Sequence, residues 1–481
     1  MEKSSRMRAH FSLIIQFVVF VSCTDGETTL RVRFNKKTFV FAASIIEEVL
    51  QNEVGLLAIP SQKVSAGSGS ATIKEMRVES FENPLISISP IAPDGLGLSV
   101  SSGSLAISGS WDASYVFLWT MYFSGDLSLK MAGIKTFTRI NLLSEGGKLQ
   151  LNLKECQLKI GKVNLKLYGG ISAWIANYFT GGIEKDIRKS LQKKICGHLK
   201  DNTVEVNKKL RSLRSQINII DNVYLSHQLL KNPKVTESSI QFDFSAYATF
   251  GPSKCYLRSK GISESIGKRQ IVSNHMVTLW LDESMINCYP KTWYETINDH
   301  LYIENSKQFH DFYYLNCKKT NSCAEKFHDS NISDKDQLVD VDIYLIKAPI
   351  LHAENGIHTE TSVKTVFHQL SKNSSKSKLK ELTIHARSLL NTTISQRRIN
   401  VRTEKLTVTT SEEDNWKFDN SITMESLKYV AEHALKELKL WEYFLNLPKL
   451  VLPRLTLSNN AAFTGMDKFI RADVDFVLSD Q

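Results

Sequence analysis

The sequence predicts an α+β protein, and three observations carry that prediction. Runs in which apolar and polar residues alternate fill the chain from Ala71 to Leu167 and again from Val277 to Thr409, the period of half-buried strands. After Gly169-Gly170 the period changes. Trp174, Ile175, Tyr178, Phe179, Ile183, Ile187, Leu191 and Ile195 recur at three- and four-residue steps, one stripe of a long helix. A second such stripe, Leu427, Val430, Ala431, Ala434, Leu438 and Trp441, follows the later strands. Each half therefore holds many strands and at least one long amphipathic helix, which suggests two pseudo-equivalent units.

The elements follow in order. Leu30–Phe34 alternates as a strand, and Asn35 can cap a helix whose stripe is Phe39, Ala42, Ile46, Val49 and Leu50 and which ends before Gly55. Short β runs at Ile73, Met76–Val78, Leu85–Ile88, Leu96–Val100 and Leu105–Ile107 are punctuated by Pro84, Pro90, Pro93 and Gly103. Read as one strand, Tyr115, Phe117, Trp119, Met121 and Phe123 share a face, with Val116 and Leu118 on the other. The strand opened by Cys156 places Leu158, Ile160, Val163, Leu165 and Leu167 at its apolar positions. Cys196 closes the following helix 40 residues later. A bond between the two would pin strand to helix, contributing about 3–4 kcal/mol in the chain-entropy model.

Beyond that helix, strands are expected around Ile217–Tyr224 and Ile240–Phe244. Gly251-Pro252 and the Ser/Gly/Lys-rich stretch 258–269 mark a linker. The expected division is 1–23, 24–250, a linker at 251–270, and 271–481. In the last part a strand at Val277–Leu281 leads to a short helix at Trp293–Leu301. Strands then follow at Leu338–Leu345, Thr361–Phe367, Leu379–Ala386, Val401–Thr409 and Ala472–Leu478.

The N-terminus sets the compartment. Lys3, Arg6 and Arg8 precede the apolar run Phe11–Val21, and Val21-Ser22-Cys23 offers a small-residue cleavage site. This is the pattern of a secretory signal, residues 1–23, and the run is too short for a comfortable membrane span. Its removal leaves an even cysteine set, Cys156, Cys196, Cys255, Cys288, Cys317 and Cys323, which in an exported chain favours disulfides over metal ligation. With Cys156 and Cys196 joined, the other four allow three pairings. Sequons at Asn331, Asn373 and Asn391 fit a secreted, extracellular glycoprotein. Of the net charge of +10, much is local: residues 154–214 hold 14 Lys and Arg against 5 Asp and Glu. That excess favours an anionic surface such as lipid headgroups. No zinc-finger or aromatic RNA-binding signature accompanies it, so nucleic acid is not an expected partner.

The strand cysteine, the helix entry containing Gly and Trp, the run Ile183-Glu-Lys-Asp-Ile-Arg188 and the cysteine after Lys193-Lys-Ile195 resemble the bactericidal/permeability-increasing and lipopolysaccharide-binding protein family. That family belongs to the tubular lipid-binding superfamily, with the phospholipid and cholesteryl ester transfer proteins. Leu447-Pro-Lys-Leu-Val-Leu-Pro453 is similar to its C-terminal barrel, and the resemblance runs from about Leu30 to Leu478. It implies two barrels of twisted antiparallel strands, each wrapped by long helices and joined through a central sheet into a curved rod. Each barrel would hold a lipid with its tails between helices and sheet.

The resemblance turns the apolar stripes into candidate lipid contacts: Phe39, Ala42, Ile46, Ile187 and Leu191. The expected function is lipid binding or lipid transfer with phospholipid as the ligand. The alternatives are an innate-defence protein that binds lipopolysaccharide and a secreted enzyme acting on lipids. The hairpin Ser110–Trp119 contains no basic residue, which counts against direct lipopolysaccharide neutralisation; Trp111 and Tyr115, exposed there, would rest at a membrane interface. No G-x-S-x-G, P-loop, H-E-x-x-H or EF-hand pattern occurs. His352, Glu354 and His358 match no standard zinc spacing. Asp340/Asp342 and Asp473/Asp475 are expected on outward strand faces. Neither enzyme activity, a cofactor nor a metal is expected.

Overall fold

The computed structural model describes residues 27–53, 61–169, 173–252, 273–297, 339–370, 376–395, 398–410 and 455–478, less 67, 117, 221 and 459, together with 254, 255, 257, 259, 261 and 262. In chain order the elements are β1 (Leu30–Asn35), α1 (Lys36–Glu53), β2 (Gln62–Ala66), β3 (Gly69–Glu82), β4 (Leu85–Ile91), β5 (Gly95–Val116), β6 (Thr120–Glu145), β7 (Lys148–Leu167) and α2 (Ala173–Ser212). Then come β8 (Gln216–Ile220), β9 (Val223–Leu229), β10 (Lys234–Val235), β11 (Ser239–Phe250), β12 (Val277–Asp282) and α3 (Glu283–Ile297). The last are β13 (Val339–Leu345), β14 (Ile350–His352), β15 (Ile357–Leu370), β16 (Lys376–Ser395), β17 (Arg398–Thr410), β18 (Leu455–Leu457), β19 (Ala462–Met466), β20 (Phe469–Val474) and β21 (Phe476–Leu478). The fold is α+β, dominated by antiparallel strands. The second long helical stripe, 427–441, lies outside the described residues.

Two compact units divide the chain. The first takes Arg33–Leu213 and Lys231–Phe242; the second takes the described residues of Met1–Val32, Arg214–Leu230 and Asp243–Gln481. In the first unit a six-stranded sheet runs β2-β3-β5-β6-β7, with β4 paired to β5. The short runs of the sequence join into strands of 14, 22, 26 and 20 residues. Gly103 does not break β5. It marks a register shift that the ladder absorbs and then continues past.

The longer strands expose another local device. On β6, Met131 and Ile134 both meet the apolar layer, as do Val163 and Ile160 on β7. A step of three cannot keep one face on an unbroken strand. Gly133, with φ of +67°, lies 3.6 Å from Gly161 where a Cβ would stand. Both strands turn over together at this glycine pair, and the pairing on either side stays in step: Ala132 with Lys162, Ile134 with Ile160.

In the second unit a sheet runs β19-β20-β12-β1-β11-β9-β8, with β10 paired to β11; β1 and β11 also extend into the first unit, where β10 lies. A second sheet runs β13-β15-β16-β17 with β14 on β15, and β18 pairs with β21. Arg31 and Asp243 are fully buried on adjacent strands, 1% and 3% exposed. Arg31 Nε donates to Asp243 Oδ1 at 2.7 Å and Nη2 donates to Oδ2 at 3.4 Å. Helix α3 begins ten residues earlier than its pattern suggests, because Asp282 Oδ1 accepts the Ser284 N–H at 2.9 Å and caps it. It also carries Pro290 in its interior, a residue that reads as a breaker.

The acid pair Asp473/Asp475 is a correction. Both are buried. Asp473 Oδ1 accepts from Ser273 and Thr278 hydroxyls at 2.8 and 2.7 Å, and its carboxylate pairs with Arg471 at 2.8 Å. Asp475 accepts the Met276 N–H at 2.8 Å and faces His275 Nδ1 at 3.1 Å. Asp473 on β20 and Asp475 just past its end both meet donors of the segment Ser273–Thr278 instead of water.

Two outcomes follow. Asp243→Ala strands the Arg31 guanidinium and is expected to cost about 3–5 kcal/mol, read as a lowered urea midpoint, whereas Arg31→Met with Asp243→Leu recovers most of it. Burial raises the Glu283 carboxyl above its ordinary range, against the lowering effect of the Ala353 N–H it accepts at 3.2 Å. The folded chain thus keeps a proton that the unfolded chain has lost. Stability falls as pH rises from the ordinary carboxylate pKa through the raised one. Glu283→Gln flattens that slope in denaturation measured from pH 4 to 7.

Candidate functional site

The site is built on the inner face of the six-stranded sheet. Ala71 and Ile73 of β3, Ile107, Trp111 and Ala113 of β5, Leu127, Leu129 and Met131 of β6, and Val163 and Leu165 of β7 form one buried apolar layer. They share a face because the register aligns them: Ile73 with Trp111, Ile107 with Leu129, Leu129 with Leu165.

Helix α2 is fastened along β7, the edge strand. The Arg188 guanidinium donates to the Ile160 carbonyl and, at 3.2 Å, to that of Gly161. Asn207 exchanges two 2.7 Å hydrogen bonds with the backbone of Leu151. The edge N–H and C=O groups are thus engaged by side chains where no further strand pairs. Cys156 and Cys196 are joined, their Cα atoms 5.8 Å apart, which ties strand to helix. A second disulfide joins Cys255 to Cys288 in the second unit; Cys317 and Cys323 lie outside the described residues. Of the five residues singled out by sequence, Leu191 of α2 packs half-buried against the apolar layer. Phe39 of α1 is buried, and Ala42 and Ile46 are half-buried. Helix α1 lies against β4, where the Ile86 N–H donates to Glu47 Oε1 at 2.9 Å. The Ile187 side chain lies outside the described ones, as do Asn331 and Asn373. Asn391 is exposed on β16, opposite Arg402.

The largest side chain of the layer is Trp111, which is 2% exposed. Its indole N–H donates to the carbonyls of Asp126 and Tyr168 at 3.1 and 3.2 Å. Gly125 sits opposite Trp111 in register, and a Cβ there would come within 1.8 Å of the Tyr168 carbonyl oxygen. Only glycine lets the end of β7 pass so close. Trp111 is therefore a core residue, correcting its expected exposure, and Tyr115 is half-buried against the same layer. The apparent single strand 115–123 is in fact two strands and a turn, with Val116 paired to Thr120. The residues that do face solvent are Leu118, Trp119 and Tyr122, at 77%, 67% and 81%. The alternation of Trp111, Ala113 and Tyr115 with Ser110, Asp112 and Ser114 is the available signal for the core side.

His352 Nε2 meets Glu360 at 3.4 Å, but among the described residues no three metal-ligating side chains converge. Among the described residues, too, no helix is long and apolar enough to cross a membrane.

Comparison with known proteins agrees with this geometry. The N-terminal domain model of the LBP / BPI / CETP family matches residues 42–213, from α1 through α2. Bactericidal permeability-increasing protein of Rattus norvegicus is 25% identical over 236 residues, 48% of each chain. Lipopolysaccharide-binding protein of Homo sapiens is 24% identical over 60% of this chain and 55% of its own. Phospholipid transfer protein of Mus musculus is 26% identical over 40% and 39%. The chain thus spans about half the length of the curated relatives it matches. A crystal structure of lipopolysaccharide binding protein shares the fold, with a TM-score of 0.59 over 95% of this chain and 100% of that one at 17% identity.

Trp111→Phe removes a donor from two carbonyls and is expected to cost about 1–3 kcal/mol, measured as a shift in the urea midpoint. Gly125→Ala, blocked by backbone, is expected to destabilise at least as much. Residues 42–213 thus match the N-terminal domain model of the LBP / BPI / CETP family, and the chain shares the fold of lipopolysaccharide binding protein.

Proposed function

We propose that this is a secreted lipid-binding or lipid-transfer protein that holds a phospholipid-like ligand on the apolar layer of the first unit. Phe39, Ala42 and Ile46 of α1 and Ile187 and Leu191 of α2 line the tails. Each unit is read as one barrel of the family's two-barrel plan. One observation carries the reading: ten buried apolar side chains from four strands form a continuous layer on one sheet face, with a 40-residue helix fastened beside it. Burying acyl methylenes against such a surface contributes about 0.8 kcal/mol each, so two tails supply ample affinity without any polar contact. A matched relative is named as a phospholipid transfer protein, which supports phospholipid as the ligand class. Holding a lipid needs no covalent step, so no catalytic residue is assigned.

A second reading, recognition of lipopolysaccharide in innate defence, is favoured by the relatives named for that ligand. The β5–β6 turn, without a basic residue from Ala113 to Gly125, gives a phosphorylated glycolipid no countercharge there.

Native mass spectrometry of the purified glycoprotein, with extraction of bound lipid, tests the first reading. Co-purified phospholipid is the expected result. An empty protein that also fails to take up a fluorescent phospholipid overturns it. Leu191→Trp, which enlarges a side chain packed against the layer, lowers lipid occupancy while leaving the fold intact by circular dichroism; lipopolysaccharide displacing phospholipid at equal concentration would favour the second reading. Export predicts N-glycans, and Asn391→Gln removes one from the mass of the secreted chain.

A further inference from the structure

The turn between β14 and β15 carries a chemistry that lipid binding does not use. Of the chain's asparagines, Asn355 alone is followed by glycine. Both residues lie in the left-handed region, with φ of +51° at Asn355 and +121° at Gly356, a conformation these two residue types tolerate. Asn355 is exposed, and its amide has no hydrogen-bond partner among the described residues. Asn141, Asn207 and Asn287, by contrast, each precede a larger residue and are tied by hydrogen bonds.

The residues flanking the turn are fixed. Ala353 is fully buried and Ile357 is 6% exposed. They share an apolar cluster with Leu351 of β14, Leu390 of β16 and Ile470 of β20, so the sheets that hold β15 and β20 meet here. The Ala353 carbonyl accepts the Lys468 N–H at 3.0 Å, and the Ala353 N–H donates to Glu283 at 3.2 Å. β19 runs against the turn itself: a Cβ on Gly465 would come within 2.0 Å of the Gly356 carbonyl oxygen. The Gly356 N–H donates to the Gly465 carbonyl at 3.3 Å. That bond is longer than an ordinary N–H···O bond, so the amide nitrogen is readily freed.

We propose that Asn355 is a site of spontaneous deamidation, and that its isoaspartyl product unlocks the β14–β15 turn from β19. The Gly356 amide gives its proton to solvent base, and its nitrogen attacks Asn355 Cγ. The new nitrogen–Cγ bond closes a succinimide ring, which no Cβ on glycine obstructs. The Cγ–Nδ2 bond breaks, and Nδ2 leaves as ammonia with a proton from water. Water then opens the ring. Attack on Cγ leaves an ordinary aspartate, whereas attack on the main-chain carbonyl routes the backbone through Cβ and Cγ as isoaspartate. The first product only adds charge to an exposed turn. The second lengthens the main chain by a methylene where Gly465 leaves no room even for a Cβ, and the turn lifts away.

Incubation of the full chain in mildly alkaline buffer, followed by peptide mapping and isoaspartyl methyltransferase labelling, tests this. Isoaspartate is expected at position 355 before any other asparagine of the folded chain. Hydroxylamine, which cleaves a succinimide, is expected to cut the native chain after that residue. The isoaspartyl form, separated from its parent by charge, shows a lower urea midpoint and faster proteolysis at 353–357. Asn355→Asp, freshly prepared, brings the charge without the methylene and keeps the parent's midpoint, while Asn355→Gln resists labelling. Both substitutions fall on an exposed side chain, so circular dichroism should match the parent. An Asn355 that stays intact while other asparagines react, or that reacts only in urea, overturns the proposal. An isoaspartyl chain with the parent's midpoint overturns the unlocking.

Discussion

Everything in the first unit depends on strand parity. Strands of 20 to 26 residues carry alternating side chains on opposite faces, and one slipped residue would exchange the apolar layer for the charged one. Midway along β6 and β7 the faces stay sorted because the two strands change phase at the same level. Gly133 and Gly161 lie side by side, so β6 and β7 change phase together and neither loses its partner. The same event sends Ile134 and Ile160 inward and Lys135 and Lys159 outward. The apolar layer and the outward lysines are thus two readings of one register.

Fastening the helix is the complementary constraint. An edge strand with open backbone groups invites pairing with another chain. Arg188 and Asn207 reach across from α2 to engage the carbonyl and N–H groups of β7, while the Cys156–Cys196 bond ties helix to strand between those two points. The helix closes an edge and also reaches the greasy face at Leu191. A helix held by polar bonds along an edge can sit beside an apolar layer without meshing fully into it, the circumstance a hydrocarbon ligand requires.

Much of this was legible in the sequence where periodicity is strong. α1, α2 and the alternating strands follow from three- and two-residue repeats, and family motifs around Cys156 and Cys196 pointed to lipid. What was hidden shares a cause: local signals whose meaning depends on neighbours in space. Gly103 reads as a break and is a tolerated irregularity. The reversal between Val116 and Thr120 has no Gly, Pro or Asn in its sequence to announce it, so two strands read as one. Trp111 looked like an interfacial anchor until Asp126 and Tyr168 supplied acceptors for its indole. Asp473 and Asp475 looked solvent-facing because nothing in their own segment reveals the Ser273, Thr278 and Met276 donors almost two hundred residues earlier.

The interleaving of the two units has a consequence for how such a protein can be built or divided. The chain passes from one unit to the other at Val32/Arg33, Leu213/Arg214, Leu230/Lys231 and Phe242/Asp243. No single cut yields two self-contained halves, since a fragment ending at Leu213 forfeits β10 and the start of β11, and one beginning at Arg214 forfeits the residues that bring Arg31 to Asp243. During synthesis, the amino-terminal residues of β1 must wait for more than two hundred later ones to emerge before their buried charge is matched. A ribosome-bound nascent chain is therefore obliged to keep that arginine solvated until Asp243 has been made.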